Sequence, residues 1–207
     1  MPRPSPPLTL GKSRIEALSD GVFSIAMTLL VLKLEVPEVM HHSSNEAMLR
    51  QLLALGPALV TYVVTFLVAG GFWFLHHLTF HRIGHVDGVL VWVNLIFLML
   101  VALLPFSAGL MGHLLVHPVS QLFYFGNLLA IAMVLNVHWR YAKRKHLLHE
   151  DERIETIRLN VRAGTAMAMF AGCFCTAIFF PAFSWLPIPL LLLGGLILER
   201  RRTAQAG

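Results

Sequence analysis

The sequence has little charge. Asp, Glu, Lys and Arg make up only 13% of its 207 residues, roughly half their share in a typical soluble domain. Hydrophobic residues make up 57%, and this excess over the charged residues indicates a lipid environment. The length leaves room for about six membrane-crossing helices of some 20 residues each, joined by short loops. We therefore expect an all-α integral membrane protein, with a single domain over residues 1–207 and no separate soluble domain.

Cysteine is scarce as well. Cys173 and Cys175 both lie within an apolar run, and on a helix they point about 200° apart. This excludes a disulfide framework and a four-ligand zinc site. The sequence also contains no nucleophile–base pair, no glycine-rich phosphate loop and no cofactor fingerprint. We therefore expect neither an enzyme nor a protein with a bound cofactor.

Six apolar runs predict transmembrane spans. They cover about residues 17–34, 49–75, 89–111, 119–141, 163–183 and 185–198. The last run is short and contains Pro187 and Pro189, so that taken alone it also fits a re-entrant segment.

The basic residues decide between five and six spans. Six spans place both chain ends, the turn after the second span and the loop after the fourth on the same side of the membrane. That side then holds 14 of the 16 lysines and arginines, and the exceptions are Lys33 and Arg50. The positive-inside rule makes this side cytoplasmic. The pattern predicts six spans with both termini in the cytoplasm. Because the basic residues flank apolar runs, they signal topology, and we expect no nucleic-acid partner.

The first span carries the one carboxylate that lies well within an apolar run, Asp20. An ionisable residue inside the membrane is a candidate functional residue. The alternative is a structural role near the interface, in which Asp20 caps a helix or pairs with Arg14.

A helical projection of the first span places large apolar residues on one face, within a stripe about 60° wide. The stripe consists of Leu18, Ile25, Leu29 and Leu32. Thr28 and Gly21 lie at its flank, and Asp20 lies roughly opposite Ile25. Such a stripe suits contact with lipid or with another helix, and periodicity alone does not indicate a pore.

Several motifs resemble one known family. The run Arg14-Ile-Glu-Ala-Leu-Ser-Asp20 resembles the R-x-x-x-F-S-D signature of the potassium channels related to transmembrane protein 175, with Leu18 in place of the signature phenylalanine. Further matches are Trp73, His76 and His77 at the end of the second span, Trp92 and Asn94 in the third, and Pro105-Phe106-Ser107. The resemblance is dense up to about residue 110 and thinner beyond it.

The resemblance implies a channel for potassium ions, with six helices per subunit and a pore lined by the first helix. A single-repeat chain like this one is similar to members that form homotetramers in membrane lipid. No T-V-G-Y-G filter is present, and the family's apolar constriction falls by position on Ile25. Leu29 and Leu32 would continue it along the pore, with the Thr28 hydroxyl beside it. The alternative function is a cation- or proton-coupled secondary transporter that uses Asp20 as its ion site.

Four histidines at the end of the second span and in the turn after it form a second group of candidate site residues. His77, His81 and His85 recur at i, i+4 and i+8, which places them on one face of a helix, and His76 adds a fourth. This spacing leaves open a membrane metalloprotein. The chain lacks the further His clusters and inward-facing glutamates of such sites, so we expect no metal. We expect instead a structural polar network that ties the first helix to the second and third, formed by Arg14, Ser19, Asp20, His77 and Asn94.

Overall fold

The computed structural model describes residues 11–35, 44–113, 117–149 and 153–204. Over these ranges the chain is helical, with one isolated β-bridge. The helices are α1 (Lys12–Leu29, continued by a 3-10 turn over Leu30–Lys33), α2 (Asn45–Ala54), α3 (Gly56–Arg82), α4 (Gly88–Ala102), α5 (Leu104–His113), α6 (Pro118–Arg144), α7 (Arg153–Phe179) and α8 (Pro187–Ala204).

Five helical segments of the described residues are long and apolar enough to cross a membrane. They are Lys12–Lys33, Gly56–Arg82, Gly88–Gly112, Pro118–Arg144 and Thr156–Phe179. The expectation of an all-helical, multi-pass membrane protein is confirmed. The sixth expected span corresponds to α8, whose 18 residues include Glu199 and the three arginines that follow it. A count of six spans therefore remains a prediction.

The second span begins later than the sequence suggested. The expected span 49–75 is divided between α2 and α3, which meet at Leu55 and Gly56. Pro57 occupies the first turn of α3, where its missing N–H costs nothing, whereas in the middle of a longer helix it would break a hydrogen bond. No side chain of α2 is buried. The crossing segment is thus 56–82, seven residues later at each end.

Two further prolines mark a helix break within the third crossing segment and the end of the fifth. Pro105 stands at the start of α5, where the chain leaves α4 at Leu103, and the two helices together form one segment long and apolar enough to cross a membrane. Pro181 follows the end of α7, which stops at Phe179, four residues earlier than expected.

The main core lies between α1, α3, α4, α5, α6 and α7. Its largest fully buried side chains include Phe23, Phe97, Tyr124, Phe125 and Ile131. The hydroxyl of Tyr124 is paired with that of Thr65 at 2.8 Å, which satisfies both polar groups inside the bundle. Outside this core, α8 packs on α7, and a Cβ atom at Gly195 would lie only 2.5 Å from Cγ2 of Thr165. Glycine at residue 195 therefore permits the close approach of α8.

The basic segments of the chain share one end of the bundle. Ile15 of α1 packs with Ile83, which follows α3, and with Ala142 of α6. The N–H of Gly84 donates to the carbonyl of Leu147 at 2.7 Å, which joins the α3–α4 turn to the α6–α7 turn. The start of α1 and both turns therefore lie together, and this is the arrangement that the charge pattern requires.

Candidate functional site

Helix α1 has two chemically different faces. One is buried against the rest of the chain and consists of Ile15, Ser19, Phe23, Ala26 and Leu30. The other is exposed and carries the apolar stripe: Ile25 and Leu32 are 61% and 70% exposed, and Leu18 and Leu29 are also open. Because Phe23 and Ala26 anchor the opposite side, the structure turns the stripe away from the subunit's own core.

The exposed face of α1 is not uniformly apolar. Ser24 donates its hydroxyl proton to the carbonyl of Asp20 at 2.8 Å, and Thr28 donates to the carbonyls of Ser24 and Ile25 at 2.9 Å. Each hydroxyl proton is thus held by the helix backbone, which leaves the oxygen lone pairs for another partner. The exposed face of α1 therefore combines large aliphatic groups with hydroxyl oxygens that can still accept a hydrogen bond.

On the buried side, a chain of hydrogen bonds joins three helices. Ser19 of α1 donates to the carbonyl of Ile15 at 2.9 Å and accepts from the amide of Asn94 at 3.2 Å. The amide oxygen of Asn94, on α4, is 2.9 Å from Nε2 of His76 on α3. Since an amide oxygen only accepts, Nε2 of His76 is the donor. All three side chains are buried, so their mutual satisfaction fixes the spacing of α1, α3 and α4.

The histidine that bonds to Asn94 is His76, whereas the sequence predicted that His77 would belong to the polar network. The ring of His76 stacks on Phe97 at 5.0 Å and on Phe80 at 4.4 Å, with His138 edge-on at 6.1 Å. The burial pattern of α3 explains the difference. Its buried residues include Thr65, Ala69, Phe72, His76 and Thr79, a helical stripe that omits residue 77. That periodicity is the signal that would have selected His76.

A second contact joins α1 to α3 at the surface. The indole N–H of Trp73 donates to the carboxylate of Asp20 at 2.8 Å, and the ring of His77 stacks on Trp73 at 5.9 Å. His77 therefore lies beside the Asp20 contact. Arg14 is exposed, and no ion pair joins it to Asp20. Trp73 was noted in the sequence for its resemblance to the family and was not expected to bind Asp20.

The expected helical row of histidines ends early. Helix α3 stops at Arg82, and the next residue, Ile83, has an extended backbone (φ −80°, ψ 120°) and pairs with Leu148 in the isolated bridge. His85 therefore lies beyond the helix and does not continue the face of His77 and His81. Among the described residues, no group of three or more His, Cys, Asp or Glu side chains is arranged to hold a metal ion.

Comparison with known proteins assigns this arrangement to a family. Residues 14–105 match the sequence profile described as the endosomal/lysosomal potassium channel TMEM175. A potassium channel of Streptomyces collinus is 35% identical over 147 residues, which cover 69% of both chains. The chain belongs to the TMEM175 family. A potassium channel of Chamaesiphon minutus is 39% identical over 134 residues, 62% of this chain and 64% of the relative. The chain spans between about half and two thirds of the length of the bacterial relatives it matches.

Solved structures of TMEM175 proteins have the same fold. The crystal structure of the lysosomal potassium-selective channel TMEM175 homologue from Chamaesiphon minutus matches with a TM-score of 0.70 and 29% identity, covering 92% of this chain and 97% of that one. A variant of the potassium channel MtTMEM175, in complex with a nanobody–MBP fusion protein, matches in fold with a TM-score of 0.63 at 18% identity. All residues of the α1–α3–α4 contacts fall within the stretch that matches the TMEM175 profile.

Proposed function

We propose that this TMEM175 protein is a potassium-permeable channel whose pore is lined by α1 in a homotetramer. The observation that carries the proposal is the exposed face of α1, on which Ile25, Leu29 and Leu32 point away from the subunit's own core. The bacterial relatives that are named potassium channels support the choice of ion.

The exposed stripe suits a constriction. Ile25 and Leu29 are four residues apart in α1, a rise of about 6 Å, and Leu32 follows three residues later in the 3-10 turn, a rise of about 6 Å again. Copies of α1 around a common axis would stack these side chains in successive rings. Apolar rings narrow enough to exclude water gate some channels by dewetting. The lone pairs of Thr28, whose proton is held by the backbone, would offer an oxygen beside the rings.

The buried polar contacts would hold this face in place. A ring of side chains closes reproducibly only if each helix is fixed in rotation and height, and interior hydrogen bonds resist both movements. Ser19, Asn94 and His76 fix the buried side of α1, while Asp20 and Trp73 fix its edge. In this proposal these residues are structural, and they do not bind the permeant ion. Arg14 would add its charge at the cytoplasmic end.

We further propose six spans in the plasma membrane, with both termini in the cytoplasm. The apolar part of α8, residues 187–198, is about 18 Å long, shorter than the hydrocarbon core of a bilayer, so the proposal of a sixth span rests on the basic residues that follow it. The bidentate pair between Arg162 and Glu199 supports this topology, because it sets the end of α8 beside the start of α7, at the end of the bundle that holds the other basic segments.

Ion flux through the purified protein in liposomes tests the channel proposal. With opposing potassium and sodium gradients, the reversal potential should move towards the potassium equilibrium potential, and the flux should not saturate at millimolar concentrations. A saturable flux of one ion that requires a gradient of another would instead identify a secondary transporter, with Asp20 as its candidate ion site.

A further inference from the structure

The proposed pore helix ends in a 3-10 turn over Leu30–Lys33, and this turn carries Leu32, the last residue of the apolar stripe. A 3-10 turn has three residues per turn, so that residues i and i+3 lie on the same side. Leu30 and Lys33 therefore share one side of the turn, and Leu32 lies on another. Burial agrees with this arrangement, since Leu30 is 1% exposed and Leu32 is 70% exposed. The position of Leu32 thus depends on what holds the side of Leu30 and Lys33.

That side of the turn packs on α5. The stem of Lys33 lies across Gly109, which is buried although it has no side chain of its own. A Cβ atom at Gly109 would lie 3.1 Å from Cδ of Lys33 and 3.4 Å from Cγ, and the three atoms nearest to it all belong to the Lys33 side chain. A side chain at residue 109 would therefore displace the stem of Lys33.

Helix α5 is itself held by two neighbouring helices. The amide of Asn127 on α6 donates to the hydroxyl of Ser107 at 3.2 Å. Near the other end of α5, Gly112 closely approaches α3, where a Cβ atom at residue 112 would lie 3.4 Å from Cα of Ala58. Because α3 and α6 both hold α5, this helix can act as a fixed support for the 3-10 turn.

The turn needs such a support. Hydrogen bonds in a 3-10 turn have poorer geometry than those of an α-helix, and helix ends open easily. Here the amide of Leu34 donates to the carbonyl of Val31 at 3.0 Å and closes the turn. Lys33 is also one of the two basic residues outside the set that the charge pattern places in the cytoplasm. Since a lysine stem can cover apolar surface while its ammonium group stays in water, packing on Gly109 accounts for a lysine at this position.

We propose that Lys33 and Gly109 are positioning residues for ion conduction: the stem of Lys33, seated on Gly109, fixes the height and rotation of Leu32 in the pore. This inference rests on the proposal that α1 lines the pore. The methylene groups of Lys33 carry the effect, and its charge does not. Lys33→Ala should therefore loosen the turn, whereas Lys33→Met, which keeps a long unbranched side chain without charge, should not.

Hydrogen exchange tests the contact without reference to conduction. In the purified full-length protein, the backbone amides of residues 31–34 are followed by mass spectrometry in deuterated buffer. Lys33→Ala should speed their exchange about fivefold, the factor expected for the loss of one or two partly buried methylene groups. Lys33→Met should exchange as the wild type does. The proposal fails if Lys33→Ala leaves exchange unchanged, or if Lys33→Met exchanges as fast as Lys33→Ala.

Gly109→Val tests the same contact from the side of α5. Its side chain would occupy the place of the Lys33 stem, so exchange of residues 31–34 should rise about as much as in Lys33→Ala. In the double variant the two effects should not add, because both substitutions remove one contact. Gly71→Val is the matched control, since a Cβ atom at Gly71 on α3 meets no atom within 4 Å. Additive effects would show that Lys33 and Gly109 act separately and would overturn the proposal.

Ion selectivity then tests the positioning role. At about 1 M salt the Debye length is about 3 Å, so the lost charge of either Lys33 variant has little influence on the ion. Lys33→Ala should weaken discrimination between potassium and sodium, and Lys33→Met should not. If Lys33→Ala loosens the turn but keeps the wild-type reversal potential, while Ile25→Ala shifts it, the positioning role is wrong and the pore proposal stands. If neither Lys33→Ala nor Ile25→Ala changes conductance or reversal potential, the pore proposal and this inference both fail.

Discussion

The indole N–H of Trp73 donates a 2.8 Å hydrogen bond to the carboxylate of Asp20, and this bond joins the edge of α1 to α3. The bond uses the one carboxylate that lies well within the first apolar segment, and it does so at the margin of the exposed face of α1. Because Trp73 is neutral, the bond fixes the position of the Asp20 carboxylate without pairing it with a positive charge. This geometry favours a positioning role for Asp20.

The contribution of this bond can be measured with a double-mutant cycle. Asp20→Ala and Trp73→Phe should each lower stability, and the double variant should lose less than the sum of the two. We expect a coupling of about 1 kcal/mol, because the bond is charge-assisted but exposed. Thermal or denaturant unfolding of the purified protein in detergent, with oligomer size followed by light scattering, provides the measurement. Strictly additive losses would contradict a direct role for the bond.

A different outcome at the same residue would change the assigned function. Asp20→Asn and Arg14→Ala should reduce folding or assembly before they alter ion preference. If Asp20→Asn assembles normally but shifts the reversal potential between potassium and sodium, Asp20 binds the ion, and the transporter hypothesis is favoured.

Loss of the buried contact between Asn94 and His76 should lower stability more than loss of the exposed bond between Asp20 and Trp73. Asn94→Ala leaves the Nε2–H of His76 without its acceptor in the interior, whereas Ser19 keeps its bond to the carbonyl of Ile15, and an unsatisfied buried polar group costs about 1–3 kcal/mol. The unfolding temperature should therefore fall by several degrees. His77→Ala is the matched control on the adjacent residue of α3, and it should have a smaller effect, since His77 is exposed and stacks on Trp73 at the surface. A larger loss of stability for His77→Ala than for Asn94→Ala would instead support the prediction that His77 belongs to the polar network.

The difference between His76 and His77 shows where sequence reasoning reached its limit. The motif predicted that a histidine near the end of the second span would meet Asn94, because both residue types recur together in the resemblance. Which of two adjacent histidines faces inward depends on the helical phase of α3, and that phase is set by packing of Thr65, Ala69 and Phe72. Hydrophobicity does not mark the inward face of α3, because the exposed Phe66 and Leu67 are as apolar as the buried Phe72; the signal is the recurrence of small and polar residues at helical spacing.

The boundaries of the helices show the same distinction. Apolar runs predicted the existence of the crossing segments, because lipid requires about 20 apolar residues whatever the packing. The run 49–75 nevertheless extended across Pro57, where hydropathy shows no change but the backbone begins a new helix. The residues of the predicted apolar stripe of α1 are all exposed in the structure, whereas what would cover them in the proposed homotetramer depends on other copies of the chain, which a single sequence does not specify.

The topology can be tested with single cysteines in a Cys175→Ser background, since Cys175 is the exposed native cysteine. Ala204→Cys, at the end of α8, should be protected from a membrane-impermeant thiol reagent in intact cells and labelled after lysis. Val119→Cys, at the start of α6 and at the opposite end of the bundle, should be labelled from outside. Labelling of Ala204→Cys in intact cells would exclude six spans with both ends inside.

The proposed constriction at Ile25 gives the most specific prediction. Ile25→Ala should raise conductance and weaken discrimination between potassium and sodium, because a smaller side chain widens the ring and admits water. Ile25→Asn should also change the ion preference, since an amide replaces an apolar wall with polar groups. Liposome flux and reversal potentials provide the measurement.

The control for Ile25→Ala must preserve the core. Phe23→Ala is unsuitable, because Phe23 is fully buried against Phe97 and its loss would destabilise the fold. Val31→Ala is better matched: Val31 is exposed, lies in the same segment and is outside the stripe of Ile25, Leu29 and Leu32. It should leave conductance and selectivity unchanged. If Ile25→Ala also leaves both unchanged, or if a cysteine placed at residue 25 is out of reach of pore-permeant thiol reagents, Ile25 does not form the narrowest point and the pore lies along another face.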